Sequence, residues 1–156
     1  MDTDYKVIEY IQEVITKLLT LAGFKVRVEY EHSLVKGLLF NISVDTPKLL
    51  IGKQGANLQA LQTIVFAIVN RHFKDHPEQI NFSIDVDSYR AQREYQLKQL
   101  VKDSVSKLKY SPTPIRLPSL SRYERKFVHS YISEQFPHIT TISEGEEPNR
   151  SIVIKM

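Results

Sequence analysis

Two short stretches hold residues whose types and spacing could do chemistry. In "LLIGKQGANLQAL", residues 49–61, Gly52 and Gly55 bracket Lys53 and Gln54. An apolar run stops at the first glycine and resumes after the second at helical spacing. Such a turn sets backbone N–H groups at the amino end of a helix, where partial positive charge and open donors favour an anion. Glycine removes the β-carbons that would hold a bulky anion away, and Lys53 adds a mobile cation. Phosphate is the expected guest. The same residues also suit a plain tight turn between two packed helices.

The second stretch is "SRYERKFVHS", residues 121–130. On a helix, Arg125 and His129 are four residues apart and share a face. Arg122 lies on that stripe and Lys126 at its edge. Tyr123, Phe127 and Tyr131 are expected on the other side, facing a core, with Val128 at the border. Three cations and a histidine that titrates near neutrality make a surface suited to phosphate oxygens. The alternative is a solvated polar face.

Other chemistries find little to work with. The 156 residues include no cysteine, which removes disulfides, thiolate zinc sites and a cysteine nucleophile. G-x-S-x-G, Walker A and H-E-x-x-H patterns are absent. His72 and His76 have helical metal-ligand spacing, but Pro77 and the turn composition place the second beyond the helix. His129 lacks a nucleophile or a placed carboxylate partner, so no catalytic residue, metal or cofactor is expected. No apolar run approaches the roughly 20 residues that span a bilayer, so no membrane insertion is expected. The amino terminus lacks the layout of a secretory signal, and a cytoplasmic protein is expected.

The net charge of +3 is unevenly placed: residues 88–135 hold ten Lys/Arg against four Asp/Glu, while the remainder is net negative. A basic segment of this kind suits a polyanion.

The elements that must position these residues follow from periodicity. Residues 4–22 read as an amphipathic helix with Ile8, Ile11, Ile15, Leu18 and Ala22 on one face. Phe24, Val26, Val28 and Tyr30, then Leu38, Phe40, Ile42 and Val44, alternate as a hairpin turning around Gly37. Pro47 suits the first turn of a short helix. Leu58, Leu61, Val65 and Ile68 carry a helix from Gly55 to about Phe73. Ile80, Phe82, Ile84 and Val86 alternate as a third strand. Asp87 or Ser88 is the expected cap of a long helix to about Leu108, with Leu97, Leu100, Val101, Ser104 and Leu108 inward. A short extended piece holds Ile115 and Leu117. Ser121 and Glu124 form a capping box for the helix to about Gln135. Strands at about 139–143 and 151–155 flank the loop "EGEEPNR".

Residues 49–61 resemble the core of a KH domain, with an aliphatic pair, I-G-x-x-G and an apolar residue three positions on, Leu58. The order helix, strand, strand, helix, helix, strand is similar to the type II KH arrangement. The R-x-x-x-H spacing, followed by "TTISEGEEPNRSIVI", resembles the R-three-H domain. A KH domain followed by this module resembles the bacterial Jag family. The resemblance implies an α+β protein: a type II KH domain over 1–87, joined by the long helix to a small α+β R-three-H domain over 88–156. Family members commonly carry a further amino-terminal domain, and this sequence is expected to lack it.

The resemblance also implies binding of single-stranded RNA, or single-stranded DNA, with a role in post-transcriptional regulation. The implied contacts are Gly52, Lys53, Gln54 and Gly55 in the first domain, whose loop would clamp about four nucleotides. In the second they are Arg125 and His129, with Arg122 and Lys126 on the same face. Arg150 matches the arginine after the family's acidic loop. Glu144, Glu146 and Glu147 would repel phosphate and are expected to pair with cations or to stay outside its path. The rival reading is a protein–protein adaptor in envelope or division control, partnered by another KH-domain protein or a second copy of the chain. Val7, Val14 and Leu19, beside the main face of the first helix, are its expected contact surface.

Overall fold

A computed structural model describes residues 2–33 and 37–156. The chain divides into two compact units, Met1–Arg90 and Ala91–Met156.

The first unit runs α1 (Asp2–Leu21), β1 (Val26–Ser33), β2 (Gly37–Val44), α2 (Pro47–Ile51), a 3₁₀ turn over Lys53–Gly55, α3 (Ala56–His72) and β3 (Ser83–Val86). The strands form one sheet in the order β1-β2-β3. β1 and β2 are antiparallel, pairing Val28 with Ile42 and Tyr30 with Phe40. β3 is parallel to β2, pairing Ile84 with Phe40. The hairpin alternation thus sends one apolar face toward the helices, and Phe40, Ile42, Ile84 and Val86 are fully enclosed. The turn expected around Gly37 lies partly outside the described residues.

Three expectations need correction in this unit. The buried stripe of α1 is Val7, Ile11, Ile15 and Leu19. Val7 and Leu19 are therefore core residues, and Val14 packs partly buried against them. They offer no free surface for an adaptor. On α3, Val69 rather than Ile68 completes the inner stripe. The third strand starts at Ser83, not Ile80. Its approach is held by side chains instead: Asn70 accepts from the Ile80 N–H at 2.9 Å and donates to the Ile80 carbonyl at 3.0 Å. Gln62 likewise donates to the Phe82 carbonyl at 3.1 Å and accepts from the Ile84 N–H at 2.6 Å. Backbone groups satisfied this way need no strand partner, and Ile80 and Phe82 stay buried.

Helix α4 (Tyr89–Tyr110) begins at the end of the first unit. Asp87 and Ser88, the expected caps, adopt left-handed φ of 46° and 57°. An N-cap residue ordinarily holds extended φ/ψ. An acceptor at this end is Asp85, whose carboxylate receives the N–H groups of Val86 at 2.9 Å and Arg90 at 3.3 Å.

The second unit contains most of α4, then β4 (Ile115–Arg116), α5 (Arg122–Gln135), β5 (Thr140–Glu144) and β6 (Ser151–Lys155). The strand order is β4-β6-β5, antiparallel throughout. Leu97, Val101, Val105 and Leu108 of α4 meet Val128 and Ile132 of α5 and Ile152 and Ile154 of β6 in one core. The capping box at α5 is formed in both directions. The Ser121 hydroxyl accepts from the Glu124 N–H at 3.3 Å, and the Glu124 carboxylate accepts from the Ser121 N–H at 2.8 Å. The other Glu124 oxygen receives Arg93 Nε at 2.6 Å, so a carboxylate 3% exposed is fully partnered.

Candidate nucleic-acid interface

In the first unit the 52–55 loop is built on left-handed backbone. Gly52 has φ 72° and ψ −178°, Gln54 φ 53° and Gly55 φ 78°. Gly52 sits where essentially only glycine goes. The space its β-carbon would need holds the Asn57 side chain, 2.6 Å away, which donates to the Leu49 carbonyl at 2.8 Å. A β-carbon on Gly55 would lie 3.1 Å from the ring of Tyr89. The glycines thus make room for the protein's own side chains. The expectation of open donors is also corrected in part. Gly52 N–H bonds to the Lys48 carbonyl, Gly55 N–H to the Gly52 carbonyl and Ala56 N–H to the Lys53 carbonyl. Lys53 is exposed and Gln54 half-buried. Of the tyrosines on α4, Tyr95 and Tyr110 are exposed, while Tyr89 packs against the first core.

In the second unit a concave basin of about 560 Å³ is lined by Arg122, Arg125, Lys126, His129 and Ser130 of α5, Ser143 of β5, and Glu147 and Arg150 of the β5–β6 loop. Arg122, Lys126 and Arg150 are exposed, and none of the three has a salt bridge among the described residues. A run of cations without counter-charges concentrates anions.

Arg125 is different. It is 7% exposed, with Nη1 donating to the Leu120 carbonyl at 2.7 Å and Nη2 to Glu147 Oε1 at 2.5 Å. The expected orientation of α5 is therefore rotated. Its buried residues are Glu124, Arg125, Val128 and Ile132. Val128, expected at the border, is enclosed, while Tyr123 is 48% exposed and donates to Glu94 at 2.7 Å. Phe127 and Tyr131 are half-buried with parallel rings, and the Lys98 ammonium lies over both.

His129 is half-buried between α5 and β5. Its Nδ1 contacts the Thr141 hydroxyl and its Nε2 the Ser143 hydroxyl, the latter at 3.1 Å. Burial first, and the Arg125 charge second, hold its pKa below the usual histidine value. Spacing on α5 alone gives no hint of Thr141 and Ser143. The signal lies in the next strand: over 139–143, two hydroxyl residues two apart share one face. Glu147 pairs with a cation, as expected of the loop acids.

The two histidines with metal-ligand spacing go separate ways. His72 stacks on Tyr10 with ring centroids 4.0 Å apart, and His76 Nδ1 lies 2.8 Å from the Glu78 carbonyl. Among the described residues no three His, Asp or Glu side chains gather for a metal ion, and no helix is long and apolar enough to cross a membrane.

A helix bearing Arg125 and His129 against a three-stranded sheet is the frame of an R-three-H domain, and residues 96–156 match the R-three-H domain family model. Over 151 residues, 97% of its length, the chain is 30% identical to RNA-binding protein KhpB of Clostridium symbiosum, covering 65% of that protein. It is 37% identical over 123 residues to RNA-binding protein KhpB of Bacillus subtilis, covering 56%. To the protein of that name in Lactiplantibacillus plantarum it is 34% identical over 115 residues, covering 34%. The chain is similar to the first of these proteins along nearly its whole length. It spans less than two thirds of the length of these relatives.

Proposed function

We propose that this protein binds single-stranded nucleic acid, RNA in the first place, and catalyses nothing. The observation that carries this reading is the basin in the R-three-H domain: exposed Arg122, Lys126 and Arg150 around a hydroxyl-held His129. Phosphates along a strand are spaced to meet several such cations, and contacts of this kind position without reading sequence. The names of the relatives point the same way.

The first unit is read as a type II KH domain over residues 1–87, on its element order, its parallel β2–β3 pair and the Gly52–Gly55 loop. Lys53, with Gln54 beside it, meets the strand there, and the R-three-H domain takes 88–156. The protein works in the cytoplasm on transcripts. A second reading is favoured by Ile64 and Ile68, 49% and 36% exposed one turn apart on α3. They suit an apolar contact with another KH-domain protein.

The test compares oligouridylate affinity of the wild type with Arg122→Glu/Lys126→Glu and Lys53→Asp/Gln54→Asp, across salt. Arg122, Lys126 and Lys53 are exposed, and aspartate accepts the left-handed φ of Gln54. Each charge-assisted hydrogen bond to phosphate that charge reversal removes should cost about 1–3 kcal/mol of binding, and affinity should fall steeply with salt. Unchanged affinity in both variants, with the fold intact, overturns the reading in favour of the adaptor, whose apolar contact is insensitive to salt.

A further inference from the structure

The basin contains one acid among its cations, and that acid sits on the deepest of them. Arg125 is buried at the lining of the basin, and its Nη2 meets Glu147 there. The Glu147 side chain is 58% exposed while that of Arg125 is 8% exposed. The carboxylate therefore stands between the buried cation and solvent, where an incoming phosphate oxygen would have to bind. A carboxylate in a phosphate site repels the ligand, and the Leu120 carbonyl holds Arg125 separately through Nη1.

We propose that Glu147 is a specificity-determining residue of this site, an anion held in place that a nucleic-acid phosphate must displace to reach Arg125. The inference rests on the nucleic-acid reading of the basin. A tethered carboxylate competes at high effective concentration. A lone phosphate does not displace it. A strand does, because neighbouring phosphates are held at the same time by Arg122, Lys126 and Arg150. The site thereby selects a continuous polyanion over single anions. Displacement by a strand phosphate exchanges one anion for another at Arg125, so that contact releases no counterion from solution.

Glu147→Gln keeps an oxygen acceptor for Arg125 and removes the charge. Measured with a labelled oligouridylate, it should bind about fivefold tighter, the effect of one unit charge at about 4 Å in water. The salt slope should steepen by about 0.7, since Arg125 then carries a counterion that the strand releases. Inorganic phosphate should compete with the oligouridylate better in this variant than in the wild type. Equal or weaker binding by Glu147→Gln, with the fold intact, overturns the proposal and makes Glu147 a support for Arg125. Where this variant loses stability, the wild type decides: on adding oligouridylate, the Glu147 carboxyl resonance should move to that of a solvent-exposed carboxylate, and an unmoved resonance overturns the proposal. Arg122→Glu/Lys126→Glu separates the two levels. If it weakens binding while Glu147→Gln changes nothing, only this inference fails. If it too changes nothing, the basin is not the site and both fail.

Discussion

The ring of Tyr89 lies against Gly55 so closely that a β-carbon on the glycine would stand 3.1 Å from Cε1. The loop that carries Lys53 is thus packed on the first residue of α4. Gly52 is under a stronger constraint, since φ 72° with ψ −178° is accessible essentially to glycine alone and Asn57 fills the space beside it. Gly55 sits in the ordinary left-handed region, which other residues enter at about 1–2 kcal/mol. Gly52→Ala should therefore be the more damaging exchange, by about 1–3 kcal/mol of unfolding free energy, and Gly55→Ala the milder. Denaturant titrations of the two variants check the order, and a reversal would show that the Tyr89 contact outweighs the backbone.

Asp85 supports the start of α4 from inside the sheet. Burial pushes its pKa above the ordinary carboxylate value, against the hydrogen bonds from Val86 and Arg90 and the Arg90 charge, which lower it. A raised folded pKa means that the native state binds the proton more tightly than the unfolded chain. Stability from this group is present below pH ~3.8 and declines as pH rises from there through the folded pKa. Asp85→Asn keeps the acceptor and removes that dependence, so at neutral pH it should be close to neutral or slightly stabilising. Asp85→Ala should cost about 0.5–2 kcal/mol, as for a lost cap. Thermal melts at neutral and mildly acidic pH distinguish them.

Local rules served well where one residue type has one strong preference. The Ser121–Glu124 box, Pro47 at a helix start and the period-two alternation of Val28 with Ile42 and Tyr30 with Phe40 all lie where spacing put them. Polarity misled where a polar residue is satisfied indoors. Arg125 reads as a surface cation until the Leu120 carbonyl and Glu147 are placed beside it, and only then does α5 rotate to bury Val128. Asp85 interrupts no alternation, yet it is buried because two backbone N–H groups meet it. The early strand boundary at Ile80 fails for a related reason: Asn70 and Gln62, ten and more residues upstream, do what a neighbouring strand would do. Such partners are set by tertiary contact and leave no periodic trace. Lys126 and His129 could be grouped by helical spacing alone, whereas Thr141, Ser143 and Glu147 join them from β5 and the loop after it.

Arg125 is expected to be a folding residue as well as a site residue. Arg125→Ala removes two donors from a buried position and leaves the Leu120 carbonyl without its guanidinium. Hydrogen bonds made by a charged group are worth about 1.5–3 kcal/mol, and the loss of stability should fall in that range. Arg122→Ala and Lys126→Ala remove exposed side chains and should stay within about 0.5 kcal/mol of the wild type. Chemical denaturation of the three variants decides it. Equal, small effects would mean that desolvating the buried Arg125 cancels what its contacts with Leu120 and Glu147 contribute.

His129 is expected to make stability and nucleic-acid affinity respond to pH with opposite signs. In the free protein its pKa is held below the ordinary histidine value by burial and by the neighbouring Arg125 charge. The native state therefore binds the proton less readily than the unfolded chain. Stability from this group is fully present above pH ~6.5 and is lost as pH falls from there through the folded pKa. Its two hydroxyl partners accept this neutral ring, since one nitrogen donates and the other accepts. A phosphate arriving in the basin reverses the balance, because an anion favours the imidazolium. Binding of oligouridylate should accordingly raise the His129 pKa, and affinity should increase as pH falls toward that value. Titration of the ring resonances in the free and bound protein measures both effects. His129→Asn, which cannot be charged, should flatten both the stability profile and the affinity profile over that window. A His129 pKa that does not rise on binding would place the phosphate away from this ring, toward Arg122 and Arg150.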